Sequence, residues 1–154
     1  MEPHINDIAR VIQLAVAPVF LLTAVATLIN ALNIRLGRAI DRRRVLLDQI
    51  PRLAPDALEG VHVELRILFQ RIRLVYLAIL AAVVGALLVC LVVATAFVGA
   101  LTAIDISRVV AVLFILSMFA MIACLGILLR EVFVAVTEST THHRLFFAKI
   151  DAGR

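Results

Sequence analysis

Polar side chains recur along one face of the first apolar segment of this sequence. Thr23, Thr27, Asn30 and Asn33 fall mostly on one side of a helix in which successive residues turn by about 100°. Hydroxyl and amide groups in a membrane either hydrogen-bond to another helix, in the same chain or in another subunit, or line a path for water and ions. Lipid tails cannot hydrogen-bond to these groups, so we expect these side chains to face protein or water.

Charged residues follow this polar stripe directly. Arg35, Arg38, Asp41 and Arg42 come within three turns of the last asparagine. We expect them to lie at the cytoplasmic mouth of a pore or to contact lipid headgroups. Arginines at such a mouth favour anions, unless Asp41 pairs with Arg38 one turn away and removes that preference.

Patterns typical of enzymes are missing. The sequence has no glycine-rich phosphate loop, no Gly-x-Ser-x-Gly and no His-Glu-x-x-His. The adjacent His142 and His143 point about 100° apart on a helix and do not form a metal site by themselves. We therefore expect no enzymatic activity, no catalytic residue, no metal and no cofactor.

The composition is typical of a membrane protein. Of 154 residues, 64% are hydrophobic and only 17% are charged, whereas soluble domains have about 25% charged residues. Residues 11–34, 74–104 and 109–129 carry no charge, and each stretch reaches the roughly 20 residues that a membrane-spanning helix needs. The sequence thus predicts a single membrane domain over residues 1–154, in which the second span ends near residue 98 and the turn begins at about Gly99.

The distribution of basic residues predicts the orientation. Nine arginines lie between Arg35 and Arg73, while few charges flank the other ends of the spans. By the positive-inside rule, residues 35–73 and the tail 130–154 are cytoplasmic and the N-terminus is outside. The net charge of +4 is explained by this loop, so we expect a lipid bilayer as the partner and no nucleic acid.

The cytoplasmic loop has a helical pattern of its own, interrupted by Pro51 and Pro55. The second half has the spacing of a coiled coil, with apolar residues three and four apart: Leu58, Val61, Leu65, Leu68, Ile72 and Val75. This pattern predicts an all-α protein with three transmembrane helices and a cytoplasmic antiparallel helical hairpin that extends the first two spans. Within the hairpin we expect Leu36, Ile40 and Leu47 to face this seam, and Arg43 to lie near Glu64 or Leu65.

Three segments of the sequence resemble a known family. APVFLLTAVATLINALNIRLGRAIDRRR (Ala17–Arg44), QRIRLVYLAI (Gln70–Ile79) and LLREVFVAV (Leu128–Val136) are similar to a widespread family of uncharacterised bacterial membrane proteins with three predicted spans. The resemblance implies a protein of the bacterial cytoplasmic (inner) membrane, and it supplies no activity.

Two functional hypotheses follow from these observations. The first is a homo-oligomeric channel or pore lined by the polar stripe of the first helix, because three spans leave little room for a passage inside one chain. The alternative is a non-conducting membrane scaffold or accessory subunit whose cytoplasmic hairpin binds a partner protein.

Overall fold

Three long helices make up the computed structural model of the protein. They are α1 (Pro3–Gln49), α2 (Pro55–Thr102) and α3 (Ser107–Asp151), and a 3-10 turn at Ile50–Arg52 follows α1. The structure describes the backbone of residues 3–52, 55–102 and 106–151, and the side chains of residues 13, 16–51, 58–102 and 106–135. The prediction of an all-α fold is confirmed.

Each helix contains a segment that is long and apolar enough to cross a membrane. These segments are Val16–Gln49, Leu58–Thr102 and Ser107–Ala135. Large apolar side chains such as Phe20, Leu101 and Phe119 are well exposed on all three helices, as expected where lipid replaces water around the protein. The three apolar helices indicate a membrane protein.

One helix end differs from the sequence prediction. Helix α2 continues to Thr102 rather than giving way to a turn at about Gly99, because nothing in the apolar run breaks the helix before that point. Helix α3 continues beyond residue 129 to Asp151, so most of the tail 130–154 is a continuation of the same helix. The side chains of His142 and His143 lie outside the described residues.

Buried side chains recur every seven residues in each helix. They are Val25, Leu32, Ala39 and Leu46 in α1, Leu68, Val75, Ala82 and Val89 in α2, and Ser117, Cys124 and Glu131 in α3. A seven-residue spacing returns a side chain to nearly the same face of a helix, so each helix presents one continuous face to its neighbours. Helix α2 packs against both α1 and α3, and one apolar cluster contains residues of all three.

Gly85 permits a close contact between α2 and α3. A Cβ atom placed on Gly85 of α2 would lie 3.2 Å from Met121 Sδ and 3.5 Å from Ala120 Cβ of α3. The two helices therefore approach closely at this point because Gly85 has no side chain.

Beyond the uncharged runs, α1 and α2 contact each other through apolar residues that the spacing predicts on α2, but not through Ile40 and Leu47 on α1. Around Leu68 lie Val61, Leu65 and Ile72, as the spacing predicts. On α1, however, the residues in this cluster are Ala39 and Leu46, whereas Ile40 and Leu47 are 38% and 43% exposed. The register is continuous with that of Val25 and Leu32 inside the apolar segment, and this register places 39 and 46 on the core face.

The ion pair between these two segments is also displaced by one residue. Arg42, not Arg43, contacts Glu64, with 2.7 Å between Arg42 Nη2 and Glu64 Oε1. Both arginines are exposed, but Arg42 follows the buried Ala39 by three residues and therefore lies closer to the face that contacts α2.

Candidate functional site

A buried carboxylate joins the three helices at one end of their uncharged runs, which are residues 11–34, 74–104 and 109–129. Glu131 of α3 is only 2% exposed. Arg35 of α1 donates a hydrogen bond from Nη1 to Glu131 Oε2 at 2.8 Å. Arg71 of α2 donates from Nη2 and Nε to Glu131 Oε1, at 3.1 and 3.3 Å. Each helix thus contributes one residue to a single ion cluster.

The position of the cluster in the sequence explains why it is buried. Arg35 is the first charged residue after the uncharged run of α1, Arg71 lies just before that of α2, and Glu131 lies just after that of α3. Glu131 also follows the buried Cys124 by seven residues, so the register of α3 directs it into the bundle. Burying a carboxylate is costly unless it is paired and hydrogen-bonded, and the two guanidinium groups provide both.

Four arginines surround a cleft next to this cluster. The cleft has a volume of about 320 Å³, and it is lined by Arg35, Arg38, Ala39, Arg42, Leu68 and Arg71. Arg35 and Arg71 are held by Glu131, and Arg42 by Glu64. Arg38 forms no hydrogen bond or ion pair with any residue that the structure describes. Four guanidinium groups and two carboxylates therefore give this region an excess of positive charge.

The structure brings together some of the charged residues expected at a pore mouth and separates others. Arg35, Arg38 and Arg42 share the cleft between α1 and α2. Asp41 is exposed, does not line the cleft, and is not paired with Arg38 in the described part of the chain. Arg71 and Glu131 complete the site and were not among the residues that the sequence predicted.

The polar stripe of α1 faces away from the rest of the chain. Thr23, Thr27, Asn30 and Asn33 are all exposed. Thr23 and Thr27 donate hydrogen bonds to carbonyl oxygens one turn earlier in α1, at 3.3 and 3.0 Å, a common arrangement for hydroxyls in membrane helices. Neither asparagine side chain has a hydrogen bond to a described residue. An ideal helix places Asn30 about 180° from the buried Ala39, so the stripe does not serve contacts between helices of the same chain.

Metal ligands are not clustered in the part of the chain that was described. Among those residues, no three His, Cys, Asp or Glu side chains are arranged to hold a metal ion. Cys124 is buried and Cys90 is exposed, and both are free thiols. The absence of enzymatic activity and of a cofactor stays a prediction.

Comparisons with known proteins identify the family and nothing beyond it. No curated protein and no solved structure matches the chain. A family model described as "Protein of unknown function (DUF2721)" matches residues 15–141, a range that includes the polar stripe, the cleft and the ion cluster. Because the match covers most of the sequence, the chain belongs to the DUF2721 family of proteins of unknown function.

Proposed function

We propose that this protein is a homo-oligomeric channel of the bacterial cytoplasmic membrane, with the polar face of α1 lining the pore. One observation carries the proposal: Thr23, Thr27, Asn30 and Asn33 are exposed on the side of α1 opposite its buried face. The two threonine hydroxyls bond to carbonyl oxygens of α1 itself, but the two asparagine side chains bond to no described residue, and lipid cannot satisfy their hydrogen bonds.

Several copies of the chain are needed to form such a pore. The buried residues of the described bundle are mostly apolar, such as Val25, Leu32 and Val75, which gives little support for a polar passage inside one chain. A ring of asparagines from several copies can satisfy its donors and acceptors mutually or hold water. The exposed Ala24, Ala26 and Ala31 are small enough to permit close approach of neighbouring helices.

The proposed orientation places the arginine-rich segment in the cytoplasm and the N-terminus outside. Nine arginines between residues 35 and 73 support this orientation. In the proposed arrangement α1 and α2 run antiparallel and form a hairpin that extends beyond the membrane. The Arg42–Glu64 ion pair and the apolar cluster around Leu68 support the hairpin.

The test combines ion flux with mass measurement. Asn30 and Asn33 are both changed to leucine, and the protein is compared with wild type in proteoliposomes and by mass in nanodiscs. A matched control is Thr102→Leu, which removes an exposed hydroxyl that bonds only within α2. We expect the double variant to lose flux that wild type and the control retain. A wild-type monomer with no flux for any ion would refute both the oligomer and the pore.

The alternative is a scaffold whose hairpin binds a cytoplasmic protein, and one observation favours it. Ile40, Leu47 and Val63 are exposed on the segment that carries the arginines, outside the uncharged runs. Apolar side chains next to basic ones suit a protein interface. If Arg43→Glu together with Arg44→Glu abolishes binding of a specific cytoplasmic protein, and the wild-type protein conducts no ion, the scaffold is the better account.

A further inference from the structure

We propose that the cleft formed by Arg35, Arg38, Arg42 and Arg71 is a binding site for a phosphate group. The site does not depend on the proposed pore, since one chain supplies all of its residues. Guanidinium groups recognise phosphate oxygens through pairs of parallel N–H donors. Four such groups line one cleft of about 320 Å³, which is roomy enough for a phosphate and the first atoms of its ester.

The charges in the cleft are prearranged for an anion. Glu131 and Glu64 form ion pairs with three of the arginines, and these pairs restrict the guanidinium groups before a ligand arrives. Among the described residues that form this site, the two carboxylates leave the four arginines with a formal excess of two positive charges, which favours an anionic ligand. Preorganised donors reduce the entropy lost on binding.

Of the four arginines that line the cleft, Arg38 is the one with no ion pair to a described residue. It lines the cleft but forms no hydrogen bond or ion pair with any described residue. Arg35 is 46% exposed, and only its Nη1 bonds to Glu131, so Nη2 and Nε form no hydrogen bond to a described residue. A phosphate between these two side chains would receive charge-assisted hydrogen bonds from both.

The depth of the cleft favours a lipid as the source of the phosphate. Arg35 follows the uncharged run of α1 directly, and Arg71 precedes that of α2 by three residues. This is the level at which phospholipid phosphates lie, at the edge of the hydrocarbon core. Ala39 and Leu68 provide an apolar wall, which suits a ligand with both a charged group and a hydrocarbon part. A free phosphate ester presents the same anionic group and is the other source that the experiment distinguishes.

The experiment uses the full-length protein, delipidated in a non-ionic detergent. Phosphatidylglycerol, phosphatidylcholine of the same chain length and inorganic phosphate are titrated separately, with binding followed by native mass spectrometry and thermal shift. Wild type is compared with Arg38→Gln and with Arg44→Gln. The two variants lose the same charge from the same helix, but the exposed Arg44 does not line the cleft.

We expect phosphatidylglycerol to bind more tightly than phosphatidylcholine, and Arg38→Gln to weaken that binding about 10-fold, as the loss of a charge-assisted hydrogen bond implies. Arg44→Gln should stay within about 2-fold of wild type, since a surface charge away from the site contributes little. Binding of inorganic phosphate that depends on Arg38, without binding of phosphatidylglycerol, would identify a soluble source. Absence of both, or equal losses in the two variants, would overturn the proposal.

A second variant at Arg38 tests whether weaker binding reflects misfolding rather than loss of the ligand contact. Arg38→Lys keeps the positive charge and removes the fork of parallel donors. We expect it to keep the wild-type helical content and to bind phosphatidylglycerol more weakly than wild type but more tightly than Arg38→Gln. Wild-type affinity in both Arg38 variants would show that the cleft does not hold the phosphate.

Discussion

Replacing Glu131 by glutamine tests how the three helices are held together. The change keeps the size of the side chain and removes the charge that Arg35 and Arg71 share. A hydrogen bond to a charged group contributes about 1.5–3 kcal/mol, and a neutral one about 0.5–1.5 kcal/mol. The difference is about 1 kcal/mol for each arginine, and Arg35 counts for less because it is 46% exposed. We therefore expect Glu131→Gln to lower the free energy of unfolding by about 1.5 kcal/mol.

Thermal unfolding in detergent measures this loss. For a chain of this size, 1 kcal/mol corresponds to a shift of about 2–4 °C, so Tm should fall by about 3–6 °C. The matched control is Glu64→Gln, which removes a carboxylate from the more exposed pair with Arg42 and should cost about 1 kcal/mol or less. Arg71→Gln combined with Glu131→Gln should lose less than the sum of the two single changes. Equal effects of Glu131→Gln and Glu64→Gln would refute the reasoning, because burial would then add nothing.

Three further predictions concern packing and orientation. Leu46→Ala should cost about 2–5 kcal/mol by leaving a cavity, whereas Leu47→Ala should cost less than about 1 kcal/mol, as measured by chemical unfolding, because Leu46 is buried and Leu47 exposed. Gly85→Leu should force α2 away from α3 and lower Tm, since its side chain would overlap Met121 Sδ. A cysteine introduced at Glu2 should react in intact cells with a probe that cannot cross the membrane, and one at Pro55 should not.

Each of these three predictions can be contradicted by a specific outcome. Equal losses for the two leucines would mean that the register of α1 is wrong. Gly126→Leu is the control for Gly85→Leu, because nothing lies within 4 Å of a Cβ at Gly126, and equal destabilisation by both would rule out close helix contact as the cause. Labelling at Pro55 in intact cells, with none at Glu2, would invert the proposed orientation.

Hydropathy and spacing were enough to predict the three helices and the apolar face of α2. They did not determine the face of α1, because Ile40 and Leu47 are as apolar as the buried Ala39 and Leu46. Which face of α1 is buried depends on its packing against α2 at Val25 and Leu32. Because α1 is one continuous helix, the same face is also buried at Ala39 and Leu46. Extending the seven-residue spacing from Val25 would have indicated the correct face.

The ion cluster could not be predicted from the sequence, because Arg35 and Arg71 lie 96 and 60 residues from Glu131 along the chain. Nothing local shows which of several arginines meets Glu131. One feature of the sequence nevertheless indicated the cluster. Glu131 follows Ser117 and Cys124 at a spacing of seven residues, so a charged residue lies on the helix face that is otherwise buried. A carboxylate in such a position requires a buried partner. The polar stripe of α1, by contrast, needed only helical geometry to be recognised.

Cross-linking between copies in the membrane tests the central claim most directly. Asn30→Cys is placed in a background where Cys90 and Cys124 are alanine, and Phe119→Cys on the exposed side of α3 serves as the control. If α1 surrounds the axis of an oligomer, mild oxidation should give a disulfide-linked dimer with Asn30→Cys and little or none with Phe119→Cys. Cross-linking at Phe119→Cys with none at Asn30→Cys would contradict the proposal that the polar face of α1 meets its counterparts.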